Sequence, residues 1–95
     1  MKTIELDLTD CKYIDEIHER IKVVFDFPEW YGKNWDAFWD LLLSECDANK
    51  VIIKGEHSLP SEFIESISIM HKILDEKIIF NKTHKFNSFS YEIIS

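Results

Sequence analysis

Ninety-five residues, 45% of them apolar and 14% aromatic, describe a globular chain, one that buries ~60–65% of its extended surface and needs neither metal nor disulfide to hold a core. No apolar run reaches the ~18 residues of a membrane span and no charged-then-apolar leader opens the chain, so one domain over residues 1–95, kept in the cytosol of its maker and monomeric when free, is expected. The net charge of −7 lies wholly in the first half, where residues 1–48 hold 5 Lys/Arg against 12 Asp/Glu while residues 49–95 hold 6 of each; such a surface repels nucleic acid and attracts a basic protein.

In chain order, Ile4, Leu6 and Leu8 alternate with Glu5 and Asp7, the period of a strand with one face buried. Ile14, Ile17, Ile21, Val24 and Phe25 share one helical face, with Asp15 as the expected N-cap. Pro28 biases Phe27 away from helical backbone and ends that helix. A loop from Glu29 to Lys33 follows, in which Gly32 is expected to supply a tight turn or a positive φ. A second helix starts at an Asn34 cap and fades around Glu45 to Asp47. Lys50-Val51-Ile52-Ile53-Lys54 reads as a β-branched strand bounded by Asn49 and Gly55. Pro60 suits a first helical turn, and Phe63, Ile64, Ile67, Met70, Ile73 and Leu74 keep helical spacing for three turns. Ile78-Ile79-Phe80 fits either a helix end or a short extended piece. Residues 81–88 are polar and turn-prone, and Phe89, Tyr91 and Ile93 alternate as a last strand.

The stretch from Trp30 to Leu43 holds all three tryptophans and one of the two glycines. At about 100° per residue its helical part sorts into two faces. Trp35, Phe38, Leu41 and Leu42, with Ala37 at the edge, form an apolar arc. Asp36 and Asp40 lie opposite, with Leu43 beside them in projection and Trp39 at the boundary. A helix whose core face is already full has no packing reason to set Trp39 and Leu43 beside two carboxylates; large apolar groups rimmed by charge mark a binding patch. The same two carboxylates, neighbours at i and i+4, could serve acid–base catalysis. Nothing in the sequence encloses them, however, and no phosphate loop or nucleophile motif accompanies them.

Pro28-Glu29-Trp30-Tyr31-Gly32-Lys33-Asn34-Trp35-Asp36-Ala37-Phe38-Trp39-Asp40 closely resembles the signature of the barstar family, intracellular inhibitors of barnase-type ribonucleases. The resemblance weakens from residue 1 to about 57, is loose over the helix near 60–77, and returns in a short final strand. It implies a small α/β fold, a three-stranded parallel sheet with helices packed mainly on one face. It also implies a task for the acidic face. Asp40 would plug the basic cleft of a secreted or toxin ribonuclease with Asp36 beside it, Trp30 would stack on a catalytic histidine, and Asn34, Trp39 and Leu43 would complete the contact. The family also uses acidic residues late in its last helix, a role open here to Glu76 or Asp75. Trp30 replaces a tyrosine, Leu43 a hydroxyl residue, and Glu45 an aromatic of the best-known member, so the nuclease itself is not fixed by the resemblance. An immunity or interaction module binding another basic protein is the alternative. Cys11 and Cys46 have no metal or redox spacing and are expected as free thiols. His18, His57, His71 and His84 form no zinc pattern, so neither metal nor other cofactor is expected.

Overall fold

The computed structural model describes residues 2–94. In order the chain forms β1 (Thr3–Asp7), α1 (Ile14–Phe25), α2 (Trp35–Ser44), β2 (Lys50–Lys54), two short 3₁₀ turns (Glu56–Ser58 and Ser61–Phe63), α3 (Ile64–Thr83) and β3 (Ser90–Ile94). The three strands make one parallel sheet with β2 in the centre, Thr3 facing Lys50 and Lys50 facing Ser90 in register. Each crossover between parallel neighbours must traverse the sheet, which is why helices fill both connections. This is the α/β architecture that the element order and the family resemblance imply.

Alternation decides which sheet face is covered. Ile4, Leu6, Val51 and Ile53 point into the core under the helices, whereas Glu5, Asp7 and Glu92 are exposed on the other side. That outer face is laced by Lys54 to Glu5 at 3.2 Å and Lys50 to Glu92 at 3.5 Å. The core continues through Ile17, Ile21 and Phe25 of α1, Phe38, Leu41 and Leu42 of α2, and Ile67, Met70 and Leu74 of α3.

Three local expectations are corrected. The N-cap of α1 is Tyr13, not Asp15; the Glu16 carboxylate reaches back to accept from the backbone N–H groups of Lys12 and Tyr13 at 2.9 and 3.1 Å, so the first turn is closed from within the helix. Gly32 has no positive φ. The left-handed residue is Lys33 (φ 52°), and Gly32 matters by close approach, since a Cβ there would lie 3.3 Å from Asn34 Nδ2 and 3.4 Å from Ala37 Cβ. Finally, α3 does not end near Ile78 but runs to Thr83, so Asn81 to Thr83 are helical, not turn. Its buried stripe continues as Met70, Leu74, Lys77 and Asn81, keeping helical spacing after the side chains turn polar. Among the described residues, no helix is long and apolar enough to cross a membrane.

Candidate protein-binding site

The loop of residues 28–34 is pinned to α1 before it enters α2. Lys22 Nζ bonds Glu29 at 2.8 Å, and Lys33 pairs with Glu19. Beneath these surface pairs, His18 Nδ1 and the Tyr31 hydroxyl are hydrogen-bonded at 2.6 Å, and the His18 ring lies 4.4 Å from that of Trp35. Burial holds His18 below its ordinary pKa and pushes the Tyr31 phenol well above its own, so the neutral pair is the stable one. Asn34 then caps α2, its Oδ1 accepting from Ala37 N at 2.7 Å while its Nδ2 donates to Gly32 O at 3.2 Å. Loop and helix are thereby fixed as one rigid ledge.

On that ledge the side chains divide as the spacing foretold. Phe38, Leu41 and Leu42 are buried, Trp35 and Ala37 are half-buried, and Asp36 and Asp40 are exposed. Neither carboxylate forms an ion pair among the described residues. Trp30 stands 72% exposed, a large apolar group with nothing folded over it. Trp39 and Leu43 are half-buried on the flank facing α3, and Trp39 meets Phe80 edge-on with centroids 6.4 Å apart.

The two acidic candidates of α3 are separated by the fold. Glu76 is exposed and lines a shallow recess of about 300 Å³ together with Trp39, Ile79, Phe80, Thr83 and His84. Asp75 points the other way and accepts from the Tyr91 hydroxyl at 2.6 Å, in a setting where burial first and Asp75 next push the Tyr91 phenol up to about 12. Trp30, Asn34, Asp36, Trp39, Asp40 and Leu43 thus lie on one loop–helix unit, and Glu76 joins them through the Trp39 recess.

Sequence reading missed the row of rings that extends this surface. His84 stacks on Phe80 at 4.1 Å between centroids and on Phe86 at 5.8 Å. Its only sequence signal is three aromatic rings at positions 80, 84 and 86 in an otherwise polar stretch. Both cysteines are free, Cys11 buried and Cys46 partly so, and burial raises both thiol pKa values. Among the described residues, no three His, Cys, Asp or Glu side chains come together as metal ligands.

Comparison with known proteins shows the family of the chain. The family model described as "Barstar (barnase inhibitor)" matches residues 1–88. A Bacillus subtilis (strain 168) protein named "Putative ribonuclease inhibitor YrdF" is 32% identical over 66 residues, covering 70% of this chain and 72% of its own length. With the signature stretch, the parallel sheet and the family match in accord, the chain belongs to the barstar family.

Proposed function

We propose that this protein inhibits a basic, secreted or toxin ribonuclease by inserting the acidic face of α2 into the cleft that holds RNA phosphate. Membership of the barstar family supports ribonuclease inhibition in general and sets the protein apart from enzymes. The observation that carries the finer reading is the pair Asp36 and Asp40, exposed on α2 and in no ion pair among the described residues. A ribonuclease cleft must hold a polyanion, so it presents Arg, Lys and His. Carboxylates placed there accept charge-assisted hydrogen bonds where phosphate oxygens otherwise sit. In this reading Asp40 is the main plug, Asp36 its neighbour, and Trp30 the exposed ring that stacks on the nuclease. Trp39 and Leu43 exclude water beside the carboxylates, Asn34 holds the loop–helix edge, and Glu76 adds charge from α3. The inhibitor acts in the cytoplasm of the cell that makes it.

Removing one member of a desolvated charge pair leaves several donors unpaired, so Asp40→Ala is expected to weaken the complex by at least ~2 kcal/mol, mostly through faster dissociation. That threshold was set in part on the barnase–barstar pair itself. Stopped-flow association and dissociation against a panel of small bacterial ribonucleases measures it, alongside competition with RNA. Equal inhibition by Asp40→Ala and wild type overturns the plug mechanism even where a ribonuclease is the partner.

A further inference from the structure

The C-terminal end of α3 keeps apolar groups outside the core. His84 N donates to Phe80 O at 3.0 Å, Lys85 takes a left-handed φ of 58°, and Phe86 N donates to Asn81 O at 2.8 Å. That reversal closes the helix and lays Phe86 against Phe80, their ring centroids 5.9 Å apart, the apolar contact that commonly accompanies such an ending. His84 is held in the same stack, because its Nδ1 donates to the Phe80 carbonyl at 2.9 Å. Helix closure explains the contact but not the exposure. Phe86 remains 59% exposed and Ile79 63%. Both lie next to α2: Ile79 and Phe80 share a recess with Trp39, and Phe86 shares the neighbouring one with Leu43.

Whatever seats on Asp40 and covers Trp39 and Leu43 therefore meets these groups next. A specific interface of standard size takes about 20–30 residues from each partner, far more than the contact described above, so the covered surface extends beyond α2. Toward α1 lie Lys22 with Glu29 and Lys33 with Glu19, ion pairs already complete within the chain. Toward the end of α3 lie rings already held in place, whose burial loses little freedom. The sign of the charge also changes along that path. Glu76 is the last carboxylate of α3, and Lys82 and Lys85 follow it, exposed and in no ion pair among the described residues. A cation that suits Asp36, Asp40 and Glu76 is repelled by the two lysines. The rings themselves favour an uncharged apolar group.

We propose that the ribonuclease bound by α2 also sets an uncharged aromatic or branched aliphatic side chain, from the rim of its basic cleft, onto Ile79, Phe80 and Phe86. The proposal rests on the inhibitor reading and adds a selectivity device to it. Every ribonuclease presents cations to phosphate, so the carboxylates of α2 do not tell one from another. An apolar seat beside them adds affinity only for a nuclease with the matching side chain.

The test uses the full-length protein and a panel of small bacterial ribonucleases that includes barnase. Stopped-flow rates are compared for wild type, Asp40→Ala and the double variant Ile79→Ser/Phe86→Ser, each first shown to be folded by circular dichroism. Against the ribonuclease that binds wild type most tightly, the double variant is expected to dissociate at least tenfold faster. Its association rate is expected to stay within twofold, since no charge has changed. Ile79→Ser alone, at an exposed helix position, serves where the pair does not fold, with at least threefold expected. With p-benzoylphenylalanine in place of Phe86, a photo-cross-link to an uncharged apolar residue beside the cleft is expected. Dissociation of the serine variants within twofold of wild type, while Asp40→Ala weakens the complex, overturns this proposal and leaves the plug standing. The opposite pattern overturns the plug and leaves the apolar contact. A cross-link to a charged residue, or none to the bound nuclease, also overturns the proposal. No binding of wild type by any member of the panel overturns the inhibitor reading and this proposal with it. A dimer of the free protein in sedimentation velocity that the double variant abolishes gives the rings to a second copy and overturns the proposal as well.

Discussion

Phe38 and Asp40 are two residues apart and answer to different forces. Phe38 is 1% exposed and touches the Phe25, Phe27 and Trp35 rings, so Phe38→Ala removes an aromatic from a closed core and is expected to destabilise by ~3–5 kcal/mol. Asp36→Asn and Asp40→Asn remove surface charge only and are expected to change stability by less than ~0.5 kcal/mol each, beyond a small helix-dipole effect at Asp36. Urea unfolding of the three variants checks the contrast; an Asp variant that unfolds as readily as Phe38→Ala would place the carboxylates in the fold and not at an interface. His18 sets a pH limit by the same local logic. Its pKa is lowered in the fold chiefly by burial, with Asp15 opposing and Lys33 assisting. The unfolded chain therefore binds the proton more readily. The stability contributed by neutral His18 is complete above the ordinary value of about 6.5 and drains away as pH falls from there toward the lowered folded value. Urea midpoints across that window should fall with pH in wild type and fall less in His18→Asn, whose side chain does not titrate.

At the scale of elements, glycine at position 55 is required by geometry. It has φ 81°, and a Cβ there would run into the backbone of Thr9. Gly55→Ala is expected to destabilise by more than ~1 kcal/mol, read as a lowered unfolding midpoint, because strain and collision add. Most elements were legible where side-chain chemistry and period agree. β2 falls on residues 50–54 as its β-branched run indicates, and Asn34 caps α2 through the bond its side chain is suited to make. The end of α3 was not legible, because its buried stripe passes to Lys77 and Asn81, which read as surface residues in a sequence. The α1 cap was missed for a related reason: Glu16 closes the turn from inside the helix, so the cap position itself is an uninformative tyrosine. Within the candidate site, α2 could be read from period alone. Which of Asp75 and Glu76 lies beside Trp39 could not, since it depends on β3 bringing Tyr91 alongside Asp75.

For the whole molecule, net charge is expected to act on encounter with a basic partner more than on the grip that individual carboxylates supply. The excess of −7 sits in the half that carries α2, and a field of that extent speeds approach of a basic partner until salt screens it beyond ~8–10 Å. Raising salt is expected to slow association of wild type and Asp40→Ala alike while leaving their difference in dissociation largely intact. Stopped-flow rates at several salt concentrations separate the two; a salt-independent on-rate would remove long-range attraction from the mechanism. The register of the sheet has a consequence for how the molecule comes into being. Thr3 pairs with Lys50 and Lys50 with Ser90, so no strand meets its neighbour through a hairpin. Every pairing waits on a helix-length crossover, and closing such distant contacts is slow. β3, which follows the other two strands of the sheet in the sequence, is the one that converts β2 from an open edge into a centre. Until β3 has paired, the chain carries Val51 and Ile53 on a strand with one side unpaired, the state in which edge-to-edge association between copies competes with folding.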